Sequence, residues 1–253
     1  MLFYYVAFGL FTLALLPKKQ AEAEQEQFTD DELLSQHIKK ELRNWKTGEM
    51  ILACGASQSG KTYWVREQIK SAKRLMVWDC EAQYEDICTH ICTNLNELMQ
   101  LIKKNPRVCK ISYQATNLKD FEGFCRIAFL FCDFGLSHLE KDGEPMRTYI
   151  VAEEISDVTT PSKAPNGWGI LLRRGLKRNA YIIGITQRPS ESDKTIIGNC
   201  SQMHVCGMSR YNDMAYMAAE LNLPVLEVQK IDRSKYQFIH KNTRTGQITR
   251  GGA

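Results

Sequence analysis

One short segment of the chain has the residue types and spacing of a phosphate-binding loop. The apolar run 50–54 opens directly into Gly-Ala-Ser-Gln-Ser-Gly-Lys-Thr at residues 55–62. In the pattern G-x-x-x-x-G-K-[ST], backbone N–H groups surround the phosphates, the lysine reaches the β- and γ-phosphate oxygens, and the hydroxyl binds Mg²⁺. The segment therefore predicts a site for ATP and Mg²⁺, formed by Gly55, Ala56, Ser57, Gln58, Ser59, Gly60, Lys61 and Thr62.

Two adjacent carboxylates, Glu153 and Glu154, follow the apolar run 149–152. A phosphoryl-transfer site needs one acid beside the hydrated Mg²⁺ and another to polarise the attacking water. Neighbouring positions at the end of a strand can point both groups toward a phosphate loop. The pair therefore predicts catalytic chemistry at the same edge of a sheet.

A third polar segment follows the apolar run 181–185 and reads Thr186-Gln-Arg-Pro-Ser190. Parallel strands deliver their carboxyl ends to one edge of a sheet, where such folds bind ligands. Gln187 can sense the γ-phosphate there by hydrogen bonding, and its alternative role is to cap its own loop.

These segments require a sheet whose strands alternate with helices. Predicted strands cover 50–54, 74–78, 108–112, 147–152, 181–185 and 203–207, predicted helices cover 63–70, 94–104, 118–139 and 170–178, and 236–240 with 247–249 form a hairpin. Alternation of this kind predicts an α/β fold, a RecA-like sheet covered by helices on both faces. Residues 160–169, rich in Pro and Gly, are predicted to form a loop.

Composition excludes several classes of protein. The chain has 253 residues, 43% hydrophobic and 25% charged, which excludes collagen-like and largely disordered proteins. A net charge of +4 does not by itself indicate a polyanionic partner. Nine cysteines without a Cys-x-x-Cys pair predict reduced thiols that pack as small hydrophobic residues, with Cys88 and Cys92 on one helix face.

The amino terminus has a different composition. Residues 1–16 carry no charged side chain and are followed by Pro17, Lys18 and Lys19. Because a bilayer-spanning helix needs about 20 residues, this run is marginal in length, and we expect residues 1–19 to associate with a membrane and leave the rest in the cytoplasm. The alternative is a leader that docks on a partner protein. Residues 20–47 are predicted to be a polar linker and an amphipathic helix, and residues 48–253 the main domain.

The motifs together resemble the FtsK–HerA superfamily of ring-forming, DNA-pumping ATPases over about residues 48–250. GASQSGKT resembles its Walker A motif, residues 79–84 its D-x-x-x-E-Y segment with Gln83 in place of Glu, YIVAEE its Walker B motif, and ITQRPS its sensor strand. A short chain without a separate DNA-reading domain is similar to the genome-packaging ATPases of tailless icosahedral phages with an internal membrane.

The resemblance implies an ATPase that moves double-stranded DNA without reading its sequence and assembles as a homo-oligomeric ring, commonly a hexamer. It also implies a location facing the host cytoplasm, at a membrane or at the virion's packaging vertex beside capsid proteins. Aligned with the family's Asp-Glu pair, Glu153 binds the metal and Glu154 activates water. The other alignment places Ala152 at the Asp position and makes Glu153 the catalytic acid.

Two functional alternatives stay open: a membrane-associated phage assembly or extrusion ATPase similar to zonular occludens toxin, and a plasmid or chromosome DNA pump. Stimulation of hydrolysis by double-stranded DNA separates the two DNA pumps from the extrusion ATPase.

The region 158–190 contains six basic residues and no acidic one. The family's rings imply an arginine that completes a neighbouring subunit's site, and Arg173, Arg174 and Arg178 are the candidates. Arg178, at the predicted helix end, is expected to be the least structural of the three. Lys163 and Trp168 are expected to face a central channel. The alternative is a solvated basic helix that covers the sheet.

Overall fold

A nine-stranded sheet organises the chain, and the computed structural model describes residues 48–138 and 145–252 of it. The strands are β1 (Glu49–Cys54), β2 (Arg74–Trp78), β3 (His90–Cys92), β4 (Cys109–Tyr113), β5 (Thr148–Ala152), β6 (Ala180–Thr186), β7 (Gln202–Cys206), β8 (Phe238–Asn242) and β9 (Ile248–Gly251). Their order is β3-β4-β2-β5-β6-β1-β7-β8-β9. The strands β1 to β7 pair in parallel, and β8 and β9 are antiparallel.

Helices cover both faces of the sheet. They are α1 (Lys61–Ile69), α2 (Leu95–Lys104), α3 (Phe121–Leu136), α4 (Ile155–Val158), α5 (Asn166–Gly175), α6 (Lys194–Asn199), α7 (Tyr211–Leu221) and α8 (Val225–Gln229). Val65 and Ile69 of α1 pack on one face, and the apolar sides of α2, α3 and α5 pack on the other. The predicted α/β architecture and the carboxyl-terminal hairpin are confirmed.

The central strands are apolar on both sides because helices cover both faces. All seven residues of β6 are buried, and five of the six residues of β1 are buried. The register pairs Cys54 with Thr186 and Ala152 with Gly184. As a result, the segments that follow β1, β5 and β6 emerge together at one edge.

Two local predictions are wrong. Cys88 and Cys92 do not share a helix face, because Cys92 lies in β3, which pairs in parallel with β4. The segment 166–169 is not a loop, because α5 begins at Asn166. A Cβ at Gly167 would lie 2.6 Å from the Glu122 carbonyl oxygen of α3. The glycine therefore permits close packing between helices.

The predictions for residues 1–47 lie outside the described residues. Within the described ranges, no helix has the length and apolar character that a membrane crossing requires.

Candidate active site

The predicted phosphate loop connects β1 to α1 and is anchored by backbone hydrogen bonds. Gly55 donates its N–H to the Thr186 carbonyl at 3.2 Å, and Ala56 donates to the Gly207 carbonyl at 2.9 Å. Gln58 and Gly60 have positive φ values of 58° and 96°. Positive φ is common for glycine and uncommon for other residues such as Gln58. It curls the loop at the amino end of α1.

The lysine of the loop is buried against its own backbone. Lys61 is 6% exposed, and its Nζ donates to the Ala56 carbonyl at 2.8 Å. Burial lowers the pKa of Lys61, an effect that the charges of Glu154 and Glu153 oppose. The ammonium group therefore lies in the electrostatic field of both acids that follow β5.

The first of those acids, Glu153, is positioned by a chain of hydrogen bonds. The Tyr84 hydroxyl donates to Glu153 Oε1 at 2.5 Å, and the Asp79 carboxylate accepts the backbone N–H groups of Gln83 and Tyr84 at 2.8 and 3.1 Å. Asp79 also accepts the Ser112 hydroxyl at 2.7 Å. Asp79 is fully buried and acts by shaping the loop that carries Tyr84.

The Glu153 carboxyl has an unusual pKa. Burial raises it from its ordinary value of 4.5 to about 7, although the Tyr84 hydrogen bond and the Lys61 charge act in the opposite direction. Desolvation penalises the ionised form, so this group exchanges its proton near neutral pH.

The second acid, Glu154, accepts hydrogen bonds from the end of the neighbouring strand β6. Its φ is 41°, and its Oε1 accepts the Ser156 hydroxyl at 2.5 Å, the Gln187 N–H at 2.9 Å and the Thr186 hydroxyl at 3.2 Å. In the described part of the chain, Oε2 accepts no hydrogen bond. One oxygen therefore fixes the carboxylate, and the other remains available.

The phosphate loop and the residues that follow β5 and β6 line one cavity of about 680 Å³. Its walls include the loop from Ser57 to Thr62, both glutamates and Gln187. The structure therefore brings together the predicted phosphate, metal, acid and sensor residues, except that Gly55 and Ala56 do not line the cavity. Their individual roles stay predictions.

The residues present fit a nucleotide and a divalent cation. Across the described ranges, the N–H groups of residues 57–60 donate to no protein acceptor, so they are available to phosphate oxygens. Four carboxylates and one lysine line the cavity, namely Glu81, Glu153, Glu154, Asp157 and Lys61. A triphosphate would be repelled by so many carboxylates without a bound cation, and the Thr62 hydroxyl and Glu153 are oxygen donors of the kind that Mg²⁺ prefers.

The three candidate arginines do not line this cavity, and they precede the amino end of β6. Arg173 and Arg174 are exposed on α5. The expectation that Arg178 is the least structural of the three is wrong: its guanidinium forms an ion pair with Asp133 and lies 4.2 Å from the Phe129 ring centroid. Both partners belong to α3, and Asp133 is 45 residues from Arg178 in the chain, so neither could be identified from local sequence.

Trp168 is also in a different place from the one predicted. Its side chain is fully buried, its ring packs against Phe121, and its indole N–H donates to Asp193 at 3.1 Å. Such a side chain cannot face a channel. Lys163 is exposed, in a turn closed by backbone hydrogen bonds with Thr160.

Several residues of the site had no role assigned from sequence, and three of them make contacts that matter. Tyr84 and Ser156 donate to the two glutamates, and Tyr236 lines the cavity from the segment before β8. The segment 79–84 contained a signal for Tyr84, because its tyrosine matches the family motif. The contact of Ser156 with Glu154 is local, whereas the position of Tyr236 depends on tertiary structure.

The fold and the loop together resemble those of the P-loop NTPases. No protein-family model matches the chain. It is 29% identical over 185 residues to Protein P9 of Pseudoalteromonas phage PM2, an alignment that covers 72% of this chain and 78% of P9.

Solved structures show the same fold. The genome packaging NTPase B204 of Sulfolobus turreted icosahedral virus 2, in complex with ATP-gammaS, superposes with a TM-score of 0.63 and 13% identity, covering 80% of this chain and 96% of B204. The cytoplasmic domain of the Thermomonospora curvata type VII secretion ATPase EccC gives a TM-score of 0.51 and 14% identity, covering 80% of this chain and 25% of EccC. The resemblance to viral packaging ATPases is confirmed.

Proposed function

We propose that this protein is an ATP-driven translocase of double-stranded DNA that packages a viral genome. The observation that carries the proposal is one cavity that combines Lys61 and Thr62 of the loop with Glu153, Glu154 and Gln187 from two neighbouring strands. Phosphoryl transfer depends mainly on positioning and charge stabilisation, and this arrangement provides both.

The loop binds and orients the phosphates. Backbone N–H groups of residues 57–60 and the amino end of α1 would hold the phosphate oxygens, and Lys61 would leave the Ala56 carbonyl to reach the β- and γ-phosphates. Mg²⁺, held by Thr62 and Glu153, would neutralise the phosphate charge.

Glu154 is the group that we assign to water activation. Its Oε2 can accept a proton from the attacking water while Oε1 stays bound to the end of β6. Glu153 is less suited to this role because Tyr84 occupies one of its oxygens and burial favours its protonated form. The geometry thus favours the alignment in which Glu153 and Glu154 stand at the Asp and Glu positions.

Coupling to DNA requires contacts beyond one subunit. A homo-oligomeric ring, a hexamer in our proposal, would place Arg173 or Arg174 of one subunit at its neighbour's phosphates, and Lys163 would contact the DNA backbone without reading bases. Residues 1–16 would attach the ring to a membrane or a membrane protein, facing the host cytoplasm at the packaging vertex beside capsid proteins.

The similarity to B204, a genome packaging NTPase solved in complex with ATP-gammaS, supports both the use of ATP and the role in genome packaging. The test is ATP hydrolysis by the full chain with and without double-stranded DNA at low salt. We expect Mg²⁺-dependent hydrolysis that DNA of any sequence stimulates, and loss of hydrolysis in Lys61→Met. Hydrolysis without stimulation at any DNA length would count against DNA pumping and favour the extrusion alternative.

A further inference from the structure

A buried carboxylate of α7 binds the turn that follows β6. Asp213 is 2% exposed, and its Oδ1 accepts the Ser190 N–H at 3.1 Å and the Ser190 hydroxyl at 2.7 Å. Across the ranges that the structure describes, Asp213 forms no ion pair with a basic side chain. Burial of an unpaired carboxylate is unfavourable, so the hydrogen bonds from Ser190 and the place of Asp213 in the first turn of α7 must offset it.

The segment 186–192, which contains this turn, folds around the Thr186 hydroxyl. That hydroxyl accepts the Arg188 N–H at 2.9 Å and lies 2.9 Å from the Ser192 hydroxyl. The same hydroxyl donates to Glu154 Oε1 at 3.2 Å. Thr186 and Ser192 are both fully buried. The start of the segment is therefore connected directly to the carboxylate that we assign to water activation.

Gln187 lies between the contact with Glu154 and the contact with Asp213. Its backbone N–H donates to Glu154 Oε1 at 2.9 Å. Gln187 lines the cavity of the candidate active site, and among the described residues its side chain forms no hydrogen bond. The backbone of the segment 186–192 therefore sets where this side chain lies, and Asp213 binds that backbone at Ser190.

We propose that Asp213 is a positioning residue for ATP hydrolysis: by binding Ser190, it holds the segment 186–192 in the conformation that places Gln187 in the cavity and fixes the Glu154 carboxylate. The inference rests on the proposed function, because it concerns the same site. A displacement of about 1 Å at a reacting group can cost about 100-fold in rate, so loss of this contact acts on kcat. The phosphates bind at residues 55–62, which Asp213 does not hold by a hydrogen bond, so the KM for ATP changes little.

The test separates the hydrogen bonds of Asp213 from its charge. Asp213→Ala removes the acceptor, whereas Asp213→Asn keeps an acceptor oxygen for Ser190 and removes the charge. Ser190→Ala removes the hydroxyl bond alone and leaves the carboxylate in place. Lys241→Met is the matched control, because Lys241 is a buried charge at the other end of α7, where its Nζ donates to the Glu220 and Leu221 carbonyls at 3.0 Å.

Steady-state hydrolysis of ATP with Mg²⁺ by the full chain gives kcat and KM, and thermal unfolding gives the stability of each variant. We expect Asp213→Ala to lower kcat by about 10–100-fold and to change the KM for ATP less than about 3-fold. Asp213→Asn should keep kcat within about 3-fold of the natural chain. Ser190→Ala should lower kcat by about 3–10-fold, and adding it to Asp213→Ala should cause no further loss, because both changes remove one contact. Lys241→Met should lower the unfolding temperature and leave kcat unchanged.

Three results would overturn the positioning role while leaving the proposed function intact: a lower unfolding temperature in Asp213→Ala with unchanged kcat, an Asp213→Asn variant as slow as Asp213→Ala, or an equal loss of kcat in Lys241→Met. Should Asp213→Ala fail to fold, an unchanged kcat in Ser190→Ala would overturn the role. Absence of ATP hydrolysis by the unmodified chain would overturn the proposed function and the positioning role together.

Discussion

Glu154 is bound directly to the first residue beyond β6: its Oε1 accepts the backbone N–H of Gln187 at 2.9 Å. The residue that we assign to water activation and the residue that we assign to γ-phosphate sensing therefore share a hydrogen bond. With these roles, a shift of the Glu154 carboxylate would act on the backbone of the loop that follows β6, which offers a route from hydrolysis to that loop.

The first prediction concerns Glu154→Gln. Glutamine can still accept the Gln187 and Thr186 hydrogen bonds, so nucleotide affinity should change little. It cannot accept a proton, so kcat should fall by about 10²–10⁴-fold. Steady-state ATP hydrolysis and binding of a non-hydrolysable ATP analogue, measured on the same preparation, check both expectations. Normal turnover in Glu154→Gln would reassign the catalytic acid to Glu153.

The second prediction concerns pH and Glu153. Between pH 4.5 and about 7 the folded protein holds a proton on Glu153 that the unfolded chain has lost. The free energy of unfolding therefore falls as pH rises through this window, and the destabilisation is fully present above it.

Glu153→Gln removes this titration. Without metal or nucleotide, the variant should be more stable than the natural chain at pH 8, by an amount on the order of 3 kcal/mol, and the two should converge near pH 4. Denaturant unfolding at both pH values measures the difference. An advantage for the variant that is equal at both pH values would show that Glu153 does not titrate as described.

The third prediction separates the arginines. Arg178→Ala loses the Asp133 ion pair and the Phe129 contact, and should lower the free energy of unfolding by about 1–2 kcal/mol. Arg173→Ala and Arg174→Ala change exposed side chains and should stay within about 0.5 kcal/mol.

Mixing each arginine variant with Glu154→Gln subunits tests action across an interface. Partial recovery of hydrolysis with Arg173→Ala or Arg174→Ala, and none with Arg178→Ala, is the expected pattern. Absence of recovery for all three at every mixing ratio would remove the trans-arginine assignment.

The fourth prediction concerns Lys163 and Trp168. Lys163→Ala should weaken DNA binding about equally for all sequences. It should also reduce the salt dependence of the DNA-binding constant by the amount expected for about one phosphate contact. Trp168→Phe keeps most of the apolar packing and loses the Asp193 hydrogen bond, so it should lower stability and leave DNA affinity unchanged. Binding isotherms at several salt concentrations check both variants, and a salt dependence unaffected by Lys163→Ala would contradict the contact.

The phosphate loop, the central strands and the two glutamates were predictable because each depends on local pattern: apolar runs, glycine spacing and acids at strand ends. The environment of Arg178 was not predictable, because Asp133 and Phe129 approach it only through the packing of α3 against α5. Trp168 was misplaced because Gly167 and Gly169 indicated a loop. In the fold, Gly167 instead allows α5 to approach α3 closely.

The most direct test of the central claim is displacement of streptavidin from the end of a biotinylated DNA duplex by the full chain. We predict displacement that requires ATP and Mg²⁺, is independent of DNA sequence and is absent for Glu154→Gln. ATP turnover at a normal rate without displacement from duplexes of any length would contradict the claim that this site drives DNA movement.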